Sequence, residues 1–188
     1  MATRLIGSGT TDSQGKININ YTGTGAGKLQ LIAKQGNLVS EPYVLIDGLF
    51  KDFGNTDWTS ISNITRTTSS GEITLTPTDT FCTQYQTIPE DGTVFEFDVC
   101  ITYSEATNFI SFRSGSTNKV AFTQGNLGLS TGVWSHVKLV IDGETVTPTV
   151  DGVEKTSKTW DSTVTRFYFV LDNNKNTNLK YKNFVIYL

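Results

Sequence analysis

Apolar and polar side chains alternate with a period of two through much of this 188-residue chain. Over 93–103, Phe95, Phe97, Val99, Ile101 and Tyr103 share one face, with Val94 out of step. Over 134–141, Val137, Leu139 and Ile141 oppose Trp134, His136 and Lys138; over 165–171, Phe167, Phe169 and Leu171 oppose Arg166 and Tyr168. In 16–22, Ile17, Ile19 and Tyr21 oppose Asn18 and Asn20. Successive side chains of a strand point to opposite faces, so this period predicts strands with one buried face. Further strands are predicted at 28–34, 40–47, 72–78, 108–114, 119–124, 145–152 and 179–188, with turn residues between them. Pro148 inside a strand pattern predicts an edge or a bulge. No stretch carries a 3.6-residue apolar period. Burying one large apolar side chain contributes about 1.5–3 kcal/mol, so most aromatic residues are core by default. The pattern predicts an all-β antiparallel sandwich or barrel.

Composition sharpens this. The chain is rich in Thr and carries 11 Phe, 7 Tyr and 17 Gly, residues suited to strands and turns. At 37% hydrophobic and 18% charged it is too apolar for disorder and too polar for a membrane span. The net charge is −3, with no run of Lys or Arg, so a nucleic-acid partner has no electrostatic support. Interspersed charges also argue against a membrane-surface patch. Residues 1–20 lack the apolar core of a signal peptide. Cys82 and Cys100 are equidistant from Asp91. They face each other if Asp91-Gly92 tips a hairpin; otherwise they are two separate free thiols.

The glycine-rich "YTGTGAGKLQL" (21–31) invites comparison with a phosphate-binding loop. That motif needs Gly, four residues, Gly, Lys, then Ser or Thr. Relative to Gly27-Lys28, the first glycine is replaced by Thr22 and the metal-binding hydroxyl by Leu29. No helix start follows to aim its N–H groups at phosphate. The glycines are read as a turn between strands.

Two segments resemble known families. "TGVWSHVKLVIDGETVTPTVDGVEKTSKT" (131–159) is similar to the signature of laminin-G-like and concanavalin A-like jelly rolls, through Gly132, Trp134, His136, Val137, Asp142, Gly143, Val150, Asp151 and Gly152. "YKNFVIY" (181–187) resembles the closing strand of that fold, and the resemblance is extended over 48–188. Residues 7–47, through "TDSQGK" and the Gly25–Gly27 turn, resemble the second half of a bacterial immunoglobulin-like (Big) domain. The resemblances imply a partial Ig-like segment at 1–47 and an antiparallel jelly-roll sandwich at 48–188. Three strands barely form an independent core.

Candidate chemistry is sparse. Jelly-roll β-glucanases similar to this fold carry Glu-x-Asp-x-(x)-Glu on one strand, and "FEFDVCI" supplies Glu96 and Asp98. The third carboxylate position is Cys100 or Ile101, so the general acid of a paired-carboxylate glycosidase is missing. His136, the single histidine, falls where the resemblance implies a structural role. One histidine and two distant cysteines build neither a triad nor a zinc site. "DNNKNTNLKYKN" (172–183) partly matches a calcium loop through Asp172, Asn174 and Asn176, with Thr177 and Asn183 in place of the expected Gly and Glu. Ca²⁺ is the only cofactor this chain suggests. Sugar binding needs exposed aromatic rings flanked by hydrogen-bonding side chains; the candidates outside the core pattern are Trp160, Asp161 and Tyr85. Trp58 is expected to pack at the junction of the two parts.

The reading that results is a non-catalytic surface-recognition protein that binds carbohydrate. Its expected partner is a cell-surface glycan or host surface, and its expected setting is a viral tail or fibre, often trimeric, or a microbial adhesin. The alternatives are a purely structural assembly module and a jelly-roll glycoside hydrolase using Glu96 and Asp98.

Overall fold

The computed structural model describes residues 58–102, 108–171 and 178–187, together with the backbone of short strands between 27 and 51. The chain divides into two compact units, Met1–Asp47 and Gly48–Leu188.

In the first unit β1 (Gly27–Leu31) pairs antiparallel with β4 (Tyr43–Asp47), and β2 (Lys34–Gln35) with β3 (Leu38–Val39). The predicted strand at 16–22 lies outside the described residues, as does the start of the Gly25–Gly27 turn.

The second unit is an all-β antiparallel sandwich. Its chain order is β5 (Phe50–Lys51), β6 (Ser60–Ser62), β7 (Ile64–Ser69), β8 (Glu72–Pro77), β9 (Cys82–Thr87), β10 (Val94–Ile101), β11 (Asn108–Ser114) and β12 (Thr117–Thr123). There follow α1 (Gln124–Leu127), β13 (Ser135–Asp142), β14 (Thr145–Val150), β15 (Val153–Glu154), β16 (Lys158–Thr159), β17 (Arg166–Leu171) and β18 (Leu179–Tyr187). The larger sheet runs β15-β14-β13-β10-β18-β8-β7, with β16 on β14 and β5 on β18; the smaller runs β12-β11-β17-β9-β6. From β9 onward the chain passes repeatedly from one sheet to the other, the winding of a jelly roll.

The alternation carries into the core. Phe95, Phe97, Val99 and Ile101 of β10 point inward and meet Ile110, Phe112, Phe167 and Phe169 of the opposite sheet. Phe167 is central: six rings (Trp58, Phe95, Phe97, Phe112, Phe169 and Phe184) have centroids within 6.5 Å of its own. Trp58, expected at a junction, is a buried member of this core.

Three local expectations change. The polar run around Tyr85 is strand β9, because its inward positions are Cys82 and Gln84 rather than an obvious apolar row. Gln84 is fully buried; it donates to Tyr181 Oη at 2.7 Å, and its own carbonyl accepts from Arg66 at 3.4 Å, so its amide is satisfied between the sheets. Asp91-Gly92 does not tip a hairpin but carries the chain from the smaller sheet to the larger. Cys82 and Cys100 therefore sit in different sheets, both buried and both free. A single helical turn, α1, also occurs. Thr123 and Asn126 form a reciprocal cap at its start, and Gly128 in the left-handed region ends it. Pro148 lies in β14, beyond which only the two-residue strands β15 and β16 pair, close to the sheet edge where a missing N–H is tolerated.

Candidate functional site

With Phe95, Phe97 and Val99 turned inward, Glu96 and Asp98 of β10 point outward from the middle of the larger sheet. Register decides their neighbours. On β13, Lys138 is opposite Glu96 and His136 is opposite Asp98. On β18, Val185 is opposite Glu96 and Lys182 is opposite Asp98; the register shifts by one residue between these pairs.

That shift is a β-bulge centred on Asn183, whose φ is 55°. An extra residue with a left-handed backbone re-aims the side chains around it. Asn tolerates this region better than most residues because its short amide can hydrogen-bond locally. The bulge leaves Phe184 and Ile186 buried on the core side while Lys182 and Asn183 both reach the outer face.

The outward groups form a connected network. His136 Nδ1 lies 2.8 Å from Asp98 Oδ1, and its Nε2 lies 3.3 Å from Glu96 Oε1. Asn183 Nδ2 donates to Asp98 Oδ2 at 2.7 Å. Glu96 Oε2 accepts from the Tyr187 hydroxyl and lies 3.6 Å from Lys138 Nζ. The Lys182 ammonium sits 4.6 Å from the centroid of the Trp134 ring, close enough for a cation–π attraction. The His136 backbone is fixed as well: its N–H donates to Asp151 Oδ1 at 2.8 Å, and its carbonyl accepts from Asp151 N–H at 2.9 Å. Asp151 and Gly152, with φ of 50° and 80°, make the tight turn that allows this.

Burial grades the network. Tyr187 is buried, and burial together with its bond to Glu96 pushes its phenol well above the ordinary range. The His136 side chain, at 47% exposure, faces solvent. Its imidazole lies between the two carboxylates of the neighbouring strand. The next outward position, Cys100, is buried, and burial raises its thiol above the ordinary value.

The residues expected to bind sugar are placed as follows. Trp160 follows β16, is half-buried, and meets Phe112 edge-on at 5.1 Å on the core side of the smaller sheet. Asp161 accepts from Thr163 N–H at 2.8 Å and pairs with Lys119 at 3.0 Å. The Thr163 bonds, then Lys119, hold its carboxyl at about 2. Tyr85 lies on the outer face of the smaller sheet, 4.8 Å from Tyr168. That sheet separates Tyr85 from the Phe112 face on which Trp160 packs. Asp172, Asn174 and Asn176 lie outside the described residues. Among the described residues no cluster of three or more His, Cys, Asp or Glu is arranged to hold a metal ion, and no helix is long and apolar enough to cross a membrane.

Sequence reasoning missed His136, Lys138, Asn183 and Tyr187 as partners of Glu96 and Asp98, and Lys182 as the neighbour of the Trp134 ring. The alternation of 134–141 already placed Trp134, His136 and Lys138 on one face. What was missing was the register that sets them beside β10.

No protein-family model matches the chain, and no curated protein matches it. Among solved structures it is similar to a sialidase, at 13% identity and a TM-score of 0.46, over 66% of this chain and 16% of the sialidase's length. It is similar to the family 66 carbohydrate-binding module from Bacillus subtilis, at 11% identity and a TM-score of 0.45, over 69% of this chain and 94% of the module. It is also similar to the Bacillus licheniformis β-glucanase, at 13% identity and a TM-score of 0.40, over 89% of this chain and 94% of the enzyme. Likenesses at this level do not bear on what the chain binds.

Proposed function

We propose that the chain recognises carbohydrate through the outer face of the larger sheet and does not cleave it. Sugar recognition calls for apolar ring surface beside fixed polar groups that meet hydroxyls. Trp134 supplies the ring. Asp98, Asn183, His136, Glu96 and Lys138 supply donors and acceptors whose directions are set by one another. The observation that carries the reading is the double bridge of His136 to Asp98 and Glu96, which fixes both carboxylates on rigid strands.

The same network speaks against hydrolysis. Both glycosidase geometries need one carboxyl group that hands a proton to the leaving oxygen. Here Asn183 and Tyr187 donate to the carboxylates, Lys138 lies beside Glu96, and the two ring nitrogens of His136 each face one carboxylate oxygen, so all four carboxylate oxygens already have a polar neighbour. The third outward position of the strand is a thiol. On the sequence resemblance, the module serves surface attachment, in a viral tail or fibre or in a microbial adhesin.

The test is affinity electrophoresis of the whole chain in gels containing neutral glucans, mannans and xylans, supported by quenching of Trp fluorescence. Retardation that falls at least about tenfold in affinity on Trp134→Ala or Asp98→Asn supports the assignment; a charge-assisted hydrogen bond is worth that much. Loss confined to Trp160→Ala and Tyr85→Ala would move the site to those residues. Reducing sugar released by the wild type but not by Glu96→Gln would replace the binding reading with a hydrolytic one.

A further inference from the structure

The outer face of the smaller sheet carries a second constellation that the site above does not use. Arg113 of β11 and Arg166 of β17 are direct cross-strand neighbours, and Tyr168 of β17 is directly opposite Tyr85 of β9. Like charges placed directly opposite on one face of a sheet are destabilising. The usual remedy is an interposed carboxylate, and among the described residues neither guanidinium has one.

Each arginine instead lies against a ring. Arg113 Cζ is 4.5 Å from the Tyr168 centroid and 5.8 Å from that of Phe81; Arg166 Cζ is 4.8 Å from the Tyr85 centroid. The two tyrosines are 4.8 Å apart at 31°. Arg113 Nε is held by Ser111 Oγ at 2.9 Å, and Ser111 in turn donates to Asn118 at 3.1 Å. Among the described residues Arg166 makes only long bonds, through Nη1, to the Gly115 carbonyl at 3.4 Å and to Tyr168 Oη at 3.5 Å. The guanidinium groups thus lie over tyrosine rings, while among the described residues no hydrogen bond engages the Nη donors of Arg113 or the Nε and Nη2 donors of Arg166. A planar fork of this kind matches a carboxylate. Phe81, 56% exposed beside Arg113, adds apolar surface at the rim.

We propose that this face is a separate binding site for an acidic glycan, taking an isolated uronate carboxylate between Arg113 and Arg166 with neighbouring sugar against Tyr85 and Phe81. The occupant is sparsely charged because the site neutralises one anion and the chain as a whole carries −3, which disfavours dense polyanions such as nucleic acid. The proposal is independent of the reading of the larger sheet, since the two faces look away from each other.

The experiment is native affinity electrophoresis of the full chain in glucuronoxylan, in the same polysaccharide with its carboxyl groups reduced to alcohols, in dextran sulfate and with single-stranded DNA. Glucuronoxylan should retard the protein and the reduced polymer should not. Affinity should weaken as NaCl rises from about 50 to about 500 mM. It should fall at least about tenfold in Arg113→Gln/Arg166→Gln and persist in Trp134→Ala. A rise in melting temperature with glucuronoxylan, absent in the double variant, gives a second readout that also reports folding. Three results would each overturn the proposal: equal binding of the reduced polymer, undiminished binding by the folded double variant, or retardation only by dextran sulfate or DNA. Loss in Trp134→Ala with the arginine variant intact would assign acidic glycan to the other face and refute it too.

Discussion

Asn183 does two jobs, and two substitutions separate them. Its backbone sits at φ 55°, in the bulge that brings Lys182 and Asn183 to the outer face together. Its side chain donates to Asp98 at 2.7 Å. Asn183→Ala removes the donor and leaves an ordinary side chain in the left-handed region. The backbone cost is about 1–2 kcal/mol, and an exposed hydrogen bond adds about 0.5–1.5 kcal/mol. Asn183→Gly loses the same bond but adopts this φ freely, so it should cost only the second amount. With a urea m-value of about 1–3 kcal/mol/M, Asn183→Ala should lower the unfolding midpoint by about 1 M and Asn183→Gly by less than half of that. Glycan binding should follow the other rule: both variants leave Asp98 without its donor, so both should bind more weakly, and by similar factors. Urea titration followed by Trp fluorescence reads the first effect and affinity electrophoresis the second. Equal midpoints for the two variants would refute the backbone argument. Wild-type binding by Asn183→Gly would refute the place of this side chain in the site.

Phe167→Ala, which empties the centre of six rings, should cost about 3–5 kcal/mol, whereas Phe167→Leu should cost far less; urea unfolding distinguishes them. Tyr181→Phe should destabilise by about 1–3 kcal/mol because it leaves the buried Gln84 amide without its acceptor. Adding Gln84→Leu should then cost less than it does alone, a non-additivity that a double-mutant cycle measures. For Asp161, the folded carboxyl is held at about 2 by Thr163 and Lys119, below the unfolded value near 4. Its contribution is complete above that unfolded value and is lost as pH falls toward 2. The melting-temperature gap between wild type and Asp161→Asn should therefore be constant from about pH 5 to 7 and close toward pH 2. A gap that widens on acidification would contradict the assignment.

Period-two patterning by itself determined which faces of β10, β13 and β17 are buried, because an apolar row of that spacing has only one way to leave water. It likewise determined that Glu96, Asp98, Trp134, His136 and Lys138 point outward, while motif spacing, with Thr22 and Leu29 at the required positions, excluded a phosphate loop at Gly27-Lys28. It did not disclose β9, whose inward Gln84 reads as polar until Tyr181 and Arg66 are there to satisfy it. Nor could it show that Cys82 and Cys100 belong to different sheets, since a short connection between strands looks the same whether it turns back or crosses over. The site itself depends on tertiary structure. Glu96 and His136 are forty residues apart, and Asp98 and Asn183 more than twice that; only the register of β10 with β13 and β18, and the one-residue shift at Asn183, bring them within hydrogen-bond reach. Register is set by how the buried rows of all three strands fit one another across the sheet, and no local stretch of sequence contains that information.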